Sequence, residues 1–520
     1  MDIVSPILNM IYVNVTTELK KFEADIRGLC MAFFPYQKFS FIYDDSIKEK
    51  SCKSDVIING YFNGNLSGNR FADKSEIKRQ LYDYLSKMTG KKLLWGTLTG
   101  IRPVTIATNL IESKNHDTHL LEGNDGQNIN VKLFNDIQRI KKYMKDEYYI
   151  SDSKVNDLIN IANREIEILK RDDIKAYKNR YSIYIGVPFC KSTCLYCSFT
   201  SFNVDKFSDY VDKYLDTLDL EFEKRCEKIN NRFNGQSFVR NGFNKLYPLT
   251  LYIGGGTPTS LSEKHFERLL SIIDKHIDRK YCIEYTIEAG RPDTITKEKL
   301  NLMKEHGVSR ISINPQSFNQ KTLNLIGRKH KTEDVIDKFL LARSLGFDNI
   351  NMDIILGLPN EHLIEVFNTL FNVYKLRPDS LTIHSLALKR AARLNYELDS
   401  WMEESYLAGI ADVNKTEGKR IIDKMYFMSN LLANLLDLKP YYLYRQKNMA
   451  GNRENIGYSK EGLECIYNIM MMSERHSVYG FGTATSKEVF YENDEKRVES
   501  IEGYKSIIDY IRDINKEREV

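Results

Sequence analysis

The sequence predicts an α/β protein built on a partial (β/α)6 barrel, and three observations support this fold class. From Tyr181 onward, apolar β-rich runs alternate six times with amphipathic helical patterns. Strands separated by helices of this length form parallel sheets through right-handed crossovers. Short β-branched and aromatic runs come before this region, and after Arg393 the alternation stops. We therefore expect three parts, at residues 1–175, 176–395 and 396–520.

The first part is predicted to be an N-terminal α+β domain with a helical linker. Its β-rich runs are MIYVNV, FSFIYDD and DVIINGYF, and helical spacing lies in TTELKKFEADIRGLCMAFF between the first two. The polar stretch EGNDGQNINVK at 122–132 is typical of an exposed loop, and two charged helical patterns then lead to the barrel. The stretch WGTLTGIRP at 95–103 fits either a ligand loop or a structural turn.

The six predicted barrel strands are nearly continuous apolar runs, which indicates burial on both faces of the sheet. They are YSIYIGV, LTLYIGG, YCIEYTIEA, RISINP, NINMDIILG and SLTIHSLAL. The helical patterns between them are FSDYVDKYLDTLDLEFEKRC, SEKHFERLLSIIDKH, TKEKLNLMKEHG, TEDVIDKFLLARSLG and IEVFNTLFNVYKL. Six units are too few to close an eight-stranded barrel, so we expect an open, partial barrel.

The last part is predicted to be mostly helical. The pattern DKMYFMSNLLANLLDL has helical spacing, and the polar, turn-rich stretch YYLYRQKNMAGNRENIGYS follows it. No internal duplication is visible beyond the strand–helix units themselves.

Composition excludes two classes of partner. The 75 basic and 71 acidic residues are mixed along the chain and leave a net charge of +4, which indicates a solvated surface and no nucleic-acid partner. No apolar stretch reaches the about 18 residues that a membrane span needs. The start, MDIVSPILNMIYVNV, lacks the pattern of a secretory signal, so a cytoplasmic location is expected.

Three cysteines occupy eight positions within YIGVPFCKSTCLYCSFTS at 184–201. With 8 Cys in 520 residues, chance would produce a C-x-x-x-C-x-x-C run in roughly one such chain in 500. In a reduced compartment, clustered cysteines bind metal more often than they form disulfides. Three thiolates around one point suit an iron–sulfur cluster, with one iron of a [4Fe–4S] cube left open to an exogenous molecule. Zinc is the alternative, but no second C-x-x-C pair supplies a fourth ligand.

Polar, charged and glycine residues recur where the later strands end, which is where α/β barrels gather their chemistry. The second strand ends in GGGTP, where glycines let a ligand approach the backbone closely. Glu288, Gln316 and Arg328 follow the third and fourth strands, and Asp353 lies within the fifth. Each alone fits a buried structural pair, but around one mouth they form donors and acceptors for a polar cofactor.

The C-x-x-x-C-x-x-C run after one strand and GGGTP after the next together resemble the radical S-adenosylmethionine (SAM) superfamily. From about residue 181 the chain is similar to the oxygen-independent coproporphyrinogen III oxidase/dehydrogenase family, and the N-terminal extension with WGTLTGIRP resembles its HemZ-type branch. The resemblance covers essentially the whole chain. It implies a radical-SAM partial barrel, a [4Fe–4S] cluster and SAM as cofactors, and a C-terminal region that covers the substrate.

The resemblance also implies roles for the residues that match the family's motifs. Cys190, Cys194 and Cys197 would hold the cluster, and SAM would chelate its fourth iron through amino and carboxylate groups. The positions that would line the SAM site are Tyr184, Gly255, Gly256, Thr257, Glu288, Gln316, Arg328, Asp353 and Ala387. The implied reaction is the oxidative decarboxylation of coproporphyrinogen III to protoporphyrinogen IX in porphyrin and heme biosynthesis, begun by a 5′-deoxyadenosyl radical. No catalytic side chain is assigned.

The implied tetrapyrrole substrate carries four carboxylates, so its pocket should offer cations. The candidates follow the last barrel strand, and ordinary surface charge would explain each of them equally well. They are Lys389, Arg390, Arg393, Arg445 and Lys447. A reducing protein such as flavodoxin or ferredoxin would supply the electron.

Two features bear on the activity that the resemblance implies. Phe199 stands where the well-studied oxidases have a further Cys, two residues after the third; that Cys does not ligate the cluster. The family also contains heme chaperones with an H-N-x-x-Y-W type motif, whereas the comparable stretch here, RQKNMAGNRENIGYS, has neither His nor Trp. The alternatives are therefore a heme- or tetrapyrrole-binding chaperone and a radical-SAM enzyme acting on another tetrapyrrole.

Overall fold

The computed structural model contains a small N-terminal sheet and a long mixed sheet, each with helices packed on it. The structure describes residues 11–35, 37–43, 56–59, 66–100, 102–112, 137–199, 201–234, 239–240, 243–387, 389, 392–396, 416–446, 449–492 and 495–516. In this described part of the chain, every helix is too short or too polar to cross a bilayer.

The N-terminal part is a three-stranded parallel sheet with two helices. Strand β1 (Ile11–Val15) lies between β2 (Phe39–Tyr43) and β3 (Val56–Asn59). Helices α1 (Glu23–Phe33) and α2 (Arg70–Thr89) pack against each other and share a core of their own with the sheet. The three predicted strands and the first helix are confirmed. Because β1 and β2 run parallel and are joined through α1, the predicted α+β arrangement is refined to a β-α-β unit.

Three helices connect this part to the barrel and share the barrel's hydrophobic core. They are α3 (Val104–Glu112), α4 (Ile137–Tyr148) and α5 (Asp152–Leu169). Residues 95–97 of the stretch WGTLTGIRP lie in a turn before α3, and Trp95 is fully buried, with its indole N–H donating to Glu454 at 2.9 Å. These contacts favour a structural turn at residues 95–97. The loop expected at 122–132 lies outside the described residues, and the part boundaries at 175 and 395 stay predictions.

The barrel contains six parallel strands that pair in the order in which they follow one another along the chain. They are β4 (Tyr181–Val187), β9 (Thr250–Gly255), β10 (Glu284–Glu288), β11 (Arg310–Ser312), β12 (Ile350–Leu356) and β13 (Ser380–Ser385). Two short ribbons lie in the connections, β5 (Phe189–Cys190) with β6 (Phe202–Asn203) and β7 (Val239–Arg240) with β8 (Phe243–Asn244). All six predicted strands are confirmed.

The barrel helices follow the strands as predicted. They are α6 (Asp209–Asn234), α7 (Glu263–His276), α8 (Lys297–Glu305), α9 (Gln320–Leu325), α10 (Thr332–Ser344) and α11 (Leu363–Leu376). The sequence did not predict α9, because six residues are too few to show a helical repeat of apolar positions. Among the described strands, the long sheet ends in β14 and β18 and no pairing closes it into a barrel.

The C-terminal part extends the long sheet at both edges. Its elements are α12 (Arg393–Tyr396), α13 (Thr416–Leu435), β14 (Lys439–Tyr444), β15 (Asn455–Ser459), α14 (Ile466–Ser473), β16 (Ser477–Gly482), β17 (Ser486–Glu492), β18 (Glu495–Ile501) and α15 (Ile507–Lys516). Strands β15 and β14 continue the sheet beyond β13, whereas β16 lies parallel to β4 and is followed by β17 and β18.

The expected mostly helical C-terminal region is therefore corrected in one respect, since its described residues hold five strands beside the helices. Two of these strands were missed for a local reason. Strand β14 contains Pro440, and β16 contains Gly480 and Gly482, residues that weaken the signature of a strand.

Candidate active site

The three clustered cysteines lie in the loop that follows β4. Cys190 ends β5, and Cys197 closes a turn by donating its N–H to the carbonyl of Cys194 at 3.1 Å. The N–H of Leu195 donates to the carbonyl of Ile326 at 2.9 Å, which ties this loop to the segment after α9. All three cysteines are free thiols and line one cavity. We call residues 190–197 the Cys loop.

This cavity has a volume of about 360 Å³ and opens at the carboxyl ends of the barrel strands. Its volume is within the range of small-molecule sites. Eight of the nine predicted SAM-site residues line it, namely Gly255, Gly256, Thr257, Glu288, Gln316, Arg328, Asp353 and Ala387. The ninth, Tyr184, stacks on the ring of Tyr252, which does line the cavity, with 5.7 Å between ring centroids.

The GGGTP segment packs directly against the chain that leads into the Cys loop. The N–H groups of Gly256 and Thr257 donate to the carbonyls of Val187 and Phe189 at 2.8 and 2.7 Å. A Cβ placed on Gly256 would lie 2.5 Å from the Phe189 carbonyl oxygen. The Thr257 hydroxyl lies 3.4 Å from the Cys190 Sγ. The glycines are therefore needed for this close approach, which also leaves their backbone in the cavity wall.

Two carboxyl groups face the cavity with different protonation behaviour. Burial raises the pKa of Glu288 to about 7; a hydrogen bond from the Tyr252 hydroxyl, at 2.7 Å, opposes this shift, and the nearby charge of Asp353 adds to it. Burial also opposes ionisation of Asp353, but contacts from His384 and Asn351 hold its pKa below the usual value. The Asn351 amide donates to Asp353 at 2.7 Å. Near neutral pH, Asp353 is therefore ionised and Glu288 is close to the midpoint of its titration. This pair of carboxyl groups suits a ligand that donates hydrogen bonds.

Gln316 offers the cavity an unsatisfied acceptor. Its backbone is left-handed (φ 62°), held by its N–H donating to the Asp353 carbonyl at 2.9 Å and its carbonyl accepting from Ile355 at 3.0 Å. Its side-chain oxygen is buried and has no hydrogen-bond partner among the described residues. A buried unpaired acceptor costs about 1–3 kcal/mol, which a ligand donor would recover.

Two arginines brace the Cys loop. Arg328 donates to the carbonyls of Gly290 and Asn314 and, at 3.3 Å, to the hydroxyl of Tyr196 within the loop. Arg291 donates to the Ser192 hydroxyl at 3.0 Å and lies 3.8 Å from the Cys194 Sγ. Arg291 was not predicted from the sequence. Its position directly after the IEAG strand end, where the other site residues also lie, could have indicated it.

Of the five cations predicted to contact substrate, Lys389 lines the cavity. Its ammonium lies 5.1 Å from the ring centroid of Phe199, which also lines the cavity and is 62% exposed. Burial lowers the pKa of Lys389, and the proximity of Cys197 opposes that shift.

The other candidate cations lie elsewhere or outside the described residues. Arg445 is corrected, since its guanidinium donates to the Leu98 carbonyl and to Asn452, both at 2.6 Å, and lies over the Trp95 ring. It is buried against the N-terminal turn and does not line the cavity. Arg393 is exposed on α12, away from the cavity lining. Arg390 and Lys447 lie outside the described residues.

Comparison with known proteins identifies the family. Residues 184–371 match the radical SAM superfamily. The oxygen-independent coproporphyrinogen-III oxidase-like protein HemZ of Bacillus subtilis (strain 168) is 34% identical over 426 residues, which span 82% of this chain and 75% of that protein. This chain belongs to the HemZ-like coproporphyrinogen oxidase family of radical SAM proteins.

Other relatives of this HemZ-like chain match smaller parts of it. The heme chaperone HemW of Bacillus subtilis (strain 168) is 35% identical over 40% of the chain and 51% of that protein. The oxygen-independent coproporphyrinogen III oxidase of Escherichia coli (strain K12) is 29% identical over 40% of the chain and 42% of that protein. The solved Escherichia coli coproporphyrinogen III oxidase (HemN) aligns with 66% of this chain and 71% of that chain, with 17% identity and a TM-score of 0.47.

The cofactors of this HemZ-like protein are the [4Fe–4S] cluster and SAM of its superfamily, as predicted. The cavity fits both groups. The Cys loop offers three free thiols, the glycine backbone packs closely beside it, and Gln316 adds its unpaired side-chain oxygen to the cavity lining. The assignment of individual residues to the cluster and to SAM stays a prediction.

Proposed function

We propose that this protein is a coproporphyrinogen dehydrogenase, a radical SAM oxidoreductase that converts coproporphyrinogen III to protoporphyrinogen IX. Family membership supports the radical SAM chemistry. The observation that carries the choice of substrate is Lys389, whose ammonium lines the same cavity as the three cysteines and lies beside the exposed Phe199 ring. A cation next to an apolar ring suits a substrate that carries carboxylates on pyrrole rings.

Each group in the cavity has a distinct part in this proposal. When bound, the cluster and SAM supply the reductive cleavage of SAM and the abstraction of a hydrogen atom from the substrate. Cys190, Cys194 and Cys197 hold the cluster. The acceptors of Gln316 and Asp353 bind hydrogen-bond donors of SAM.

Arg328 and Arg291 keep the Cys loop in place, because they bridge it to the ends of β10 and β11. Lys389 pairs with a substrate carboxylate, and Phe199 packs against the tetrapyrrole. In the overall reaction, each of two propionates loses one hydrogen atom, CO₂ and one electron, and becomes a vinyl group. The electron passes to an external one-electron acceptor.

The test is anaerobic turnover of the reconstituted protein with SAM, reduced flavodoxin and coproporphyrinogen III. We expect methionine, 5′-deoxyadenosine and protoporphyrinogen IX, and none of them with Cys197→Ala. Lys389→Gln removes a charge-assisted hydrogen bond, so KM for coproporphyrinogen should rise by about tenfold or more while SAM affinity is unchanged. The exposed Lys321→Gln on α9 is the matched control and should behave like the wild type.

Two other results would reject the proposal. Stoichiometric heme binding without SAM cleavage would identify a heme chaperone, the activity named for HemW relatives. SAM cleavage that is stimulated by another tetrapyrrole, with no protoporphyrinogen from coproporphyrinogen III, would identify a different substrate. A reducing partner other than flavodoxin would change the donor but not the product.

A further inference from the structure

A second, small pocket lies where helix α1 meets the segment after the Trp95 turn and the segment at residues 445–452. It has a volume of about 30 Å³, and residues of α1 line it together with Thr99, Arg445, Gln446 and Asn452. A single water molecule needs about 10–15 Å³, so the pocket has room for about two water-sized atoms and excludes a nucleotide or a porphyrin ring. We call it the Arg445 pocket.

Two buried cations belong to this pocket. Arg445 in its lining is 4% exposed, and its guanidinium donates to two neutral acceptors, the Leu98 carbonyl and the Asn452 side chain. Its Nε is buried and has no hydrogen-bond partner among the described residues. Lys78 on α2 is 7% exposed, and its ammonium donates to the hydroxyl of Thr99, a further neutral acceptor in the lining, at 3.1 Å.

The carboxylates that act on these two cations are each paired with another lysine. Asp25, which acts on the α2 cation, lies 2.7 Å from the ammonium of Lys74. Glu454, which acts on the pocket arginine, lies 2.6 Å from the ammonium of Lys154. A buried charge without a counter-ion is costly, so this part of the molecule favours an additional anion.

The pKa values of the two cations agree with this excess of positive charge. Burial lowers the pKa of Lys78 to about 8, and the nearby charge of Arg445 adds to the shift. Burial also lowers the pKa of Arg445 to about 10, and Glu454 opposes that shift. Both groups still carry positive charge near neutral pH and repel each other, and an anion in the pocket would offset this repulsion.

We propose that the Arg445 pocket binds one small oxyanion, of the size of a carboxylate group. The Thr99 hydroxyl accepts from Lys78, so its own hydrogen can be donated to the anion. Arg445 supplies a positive charge in the same lining. The α1 side of the pocket includes the apolar Met31 and Ala32, and hydrogen bonds are stronger in such surroundings than in water.

Two sources could supply this anionic group. The small volume, and the absence of Arg445 from the lining of the Cys-loop cavity, favour a free anion. Gln446 lines both the Arg445 pocket and that cavity, so a carboxylate that extends from a ligand in the cavity is the second source. Both would use the same donors, and the experiment separates them.

The test of the pocket is a titration of the full-length protein with formate, the smallest carboxylate, at constant ionic strength. The Trp95 ring centroid lies 4.9 Å from the Arg445 guanidinium, and Trp401→Phe leaves Trp95 as the single fluorescent tryptophan, since the chain has 2 Trp. We expect a saturable fluorescence change, and a Kd that rises by about tenfold or more in Lys78→Met. Lys87→Met, at an exposed position on the same helix, is the matched control and should bind formate like the wild type.

Arg445→Met should weaken formate binding in the same way, but it also removes contacts with the N-terminal turn. Lys78→Met removes a buried cation that has no counter-ion, so this variant should fold at least as stably as the wild type. Circular dichroism shows whether each variant is folded. A wild type without a saturable response to formate, or a folded Lys78→Met variant that binds formate like the wild type, would overturn the inference.

Coproporphyrin III, the oxidised tetracarboxylate, separates the two sources when its binding is followed by its own absorption. For a free anion, Lys78→Met should bind coproporphyrin III like the wild type although it no longer binds formate. A parallel loss of affinity for both probes would place a tetrapyrrole carboxylate in the pocket and overturn the choice of a free anion. Formate binding requires no tetrapyrrole, so its result stands apart from the turnover experiment that tests the proposed function.

Discussion

Gly256 shows how little room separates the GGGTP segment from the chain that enters the Cys loop. A Cβ at this position would lie 2.5 Å from the carbonyl oxygen of Phe189 and 2.9 Å from that of Val187. Because both are backbone atoms, Gly256→Ala must push the segment away from Cys190. Overpacking typically costs about 1–3 kcal/mol. Because the strain here falls on the segment beside Cys190, we expect SAM affinity to fall by about tenfold and cluster content to fall with it. Iron and sulfide analysis and calorimetric titration with SAM measure both.

The matched control for this change is Gly100→Ala. It adds the same methyl group, but no atom lies within 4 Å of a Cβ at Gly100, and its φ is not positive. Gly100→Ala should therefore load the cluster and bind SAM like the wild type. Equal loading of Gly256→Ala and the wild type would show that the close approach is not needed.

At the scale of single residues, the sequence indicated which residues line the cavity, but it misplaced Arg445 among the candidate substrate-binding cations. Residues at the ends of parallel strands converge because the strands share one direction, so motif positions such as Thr257 and Glu288 could be brought together without a structure. Arg445 could not be placed in this way. Its surroundings depend on Trp95 and Leu98, which lie about 350 positions earlier in the chain, and no local pattern reveals such a contact.

At the scale of single elements, the turn between β12 and α11 contains a buried carboxyl group, Glu361, which is 1% exposed. Burial raises its pKa to about 7, and the hydrogen bond from the Ser317 hydroxyl opposes this shift. Since the pKa in the folded state lies above the unfolded value, the group's contribution to stability is present at low pH and is lost as pH rises through about 7.

Glu361→Gln should remove this dependence. Relative to the variant, the cluster-free wild type should lose about 2–3 kcal/mol of unfolding free energy between about pH 5 and pH 8. Urea denaturation at each pH measures the difference. Glu305→Gln on α8 is the control, because Glu305 is exposed and its substitution should leave the pH dependence as it is. A wild type and a Glu361→Gln variant that respond alike to pH would contradict the assignment.

Helices and strands could be predicted where their burial gives a recognisable pattern of apolar residues in the sequence. The barrel strands are buried on both faces and appear in the sequence as continuous apolar runs. In the helices between them, apolar residues recur every three to four positions. Strand β16 shows no such pattern in its own sequence. It is completed by pairing with β4, about 300 residues earlier. Its Gly480 makes room for the backbone of residues 484 and 485, and its Gly482 makes room for Tyr214 and the Gly186 carbonyl.

At the scale of the whole molecule, Glu454 joins the N-terminal turn and helix α5 to the C-terminal part. Its side chain is fully buried, and it accepts from the Trp95 indole at 2.9 Å and from the Lys154 ammonium at 2.6 Å. Glu454→Gln would leave the buried ammonium with the half-exposed Asp157 as its remaining carboxylate. We expect a loss of about 3 kcal/mol in unfolding free energy, measured by chemical denaturation.

The cause of this loss can be separated from the loss of packing by a second substitution. In Lys154→Met/Glu454→Gln neither buried charge of the pair remains and only the half-exposed Asp157 loses its partner, so the double variant should be more stable than Glu454→Gln alone. The exposed pair of Lys142 and Asp146 provides the comparison, since Asp146→Asn should change stability by about 0.5 kcal/mol or less. Strictly additive effects at positions 154 and 454 would mean that the ion pair does not couple the two ends of the chain. Coupling would show that distant parts of this chain are joined by a buried charge pair that no local sequence pattern reveals.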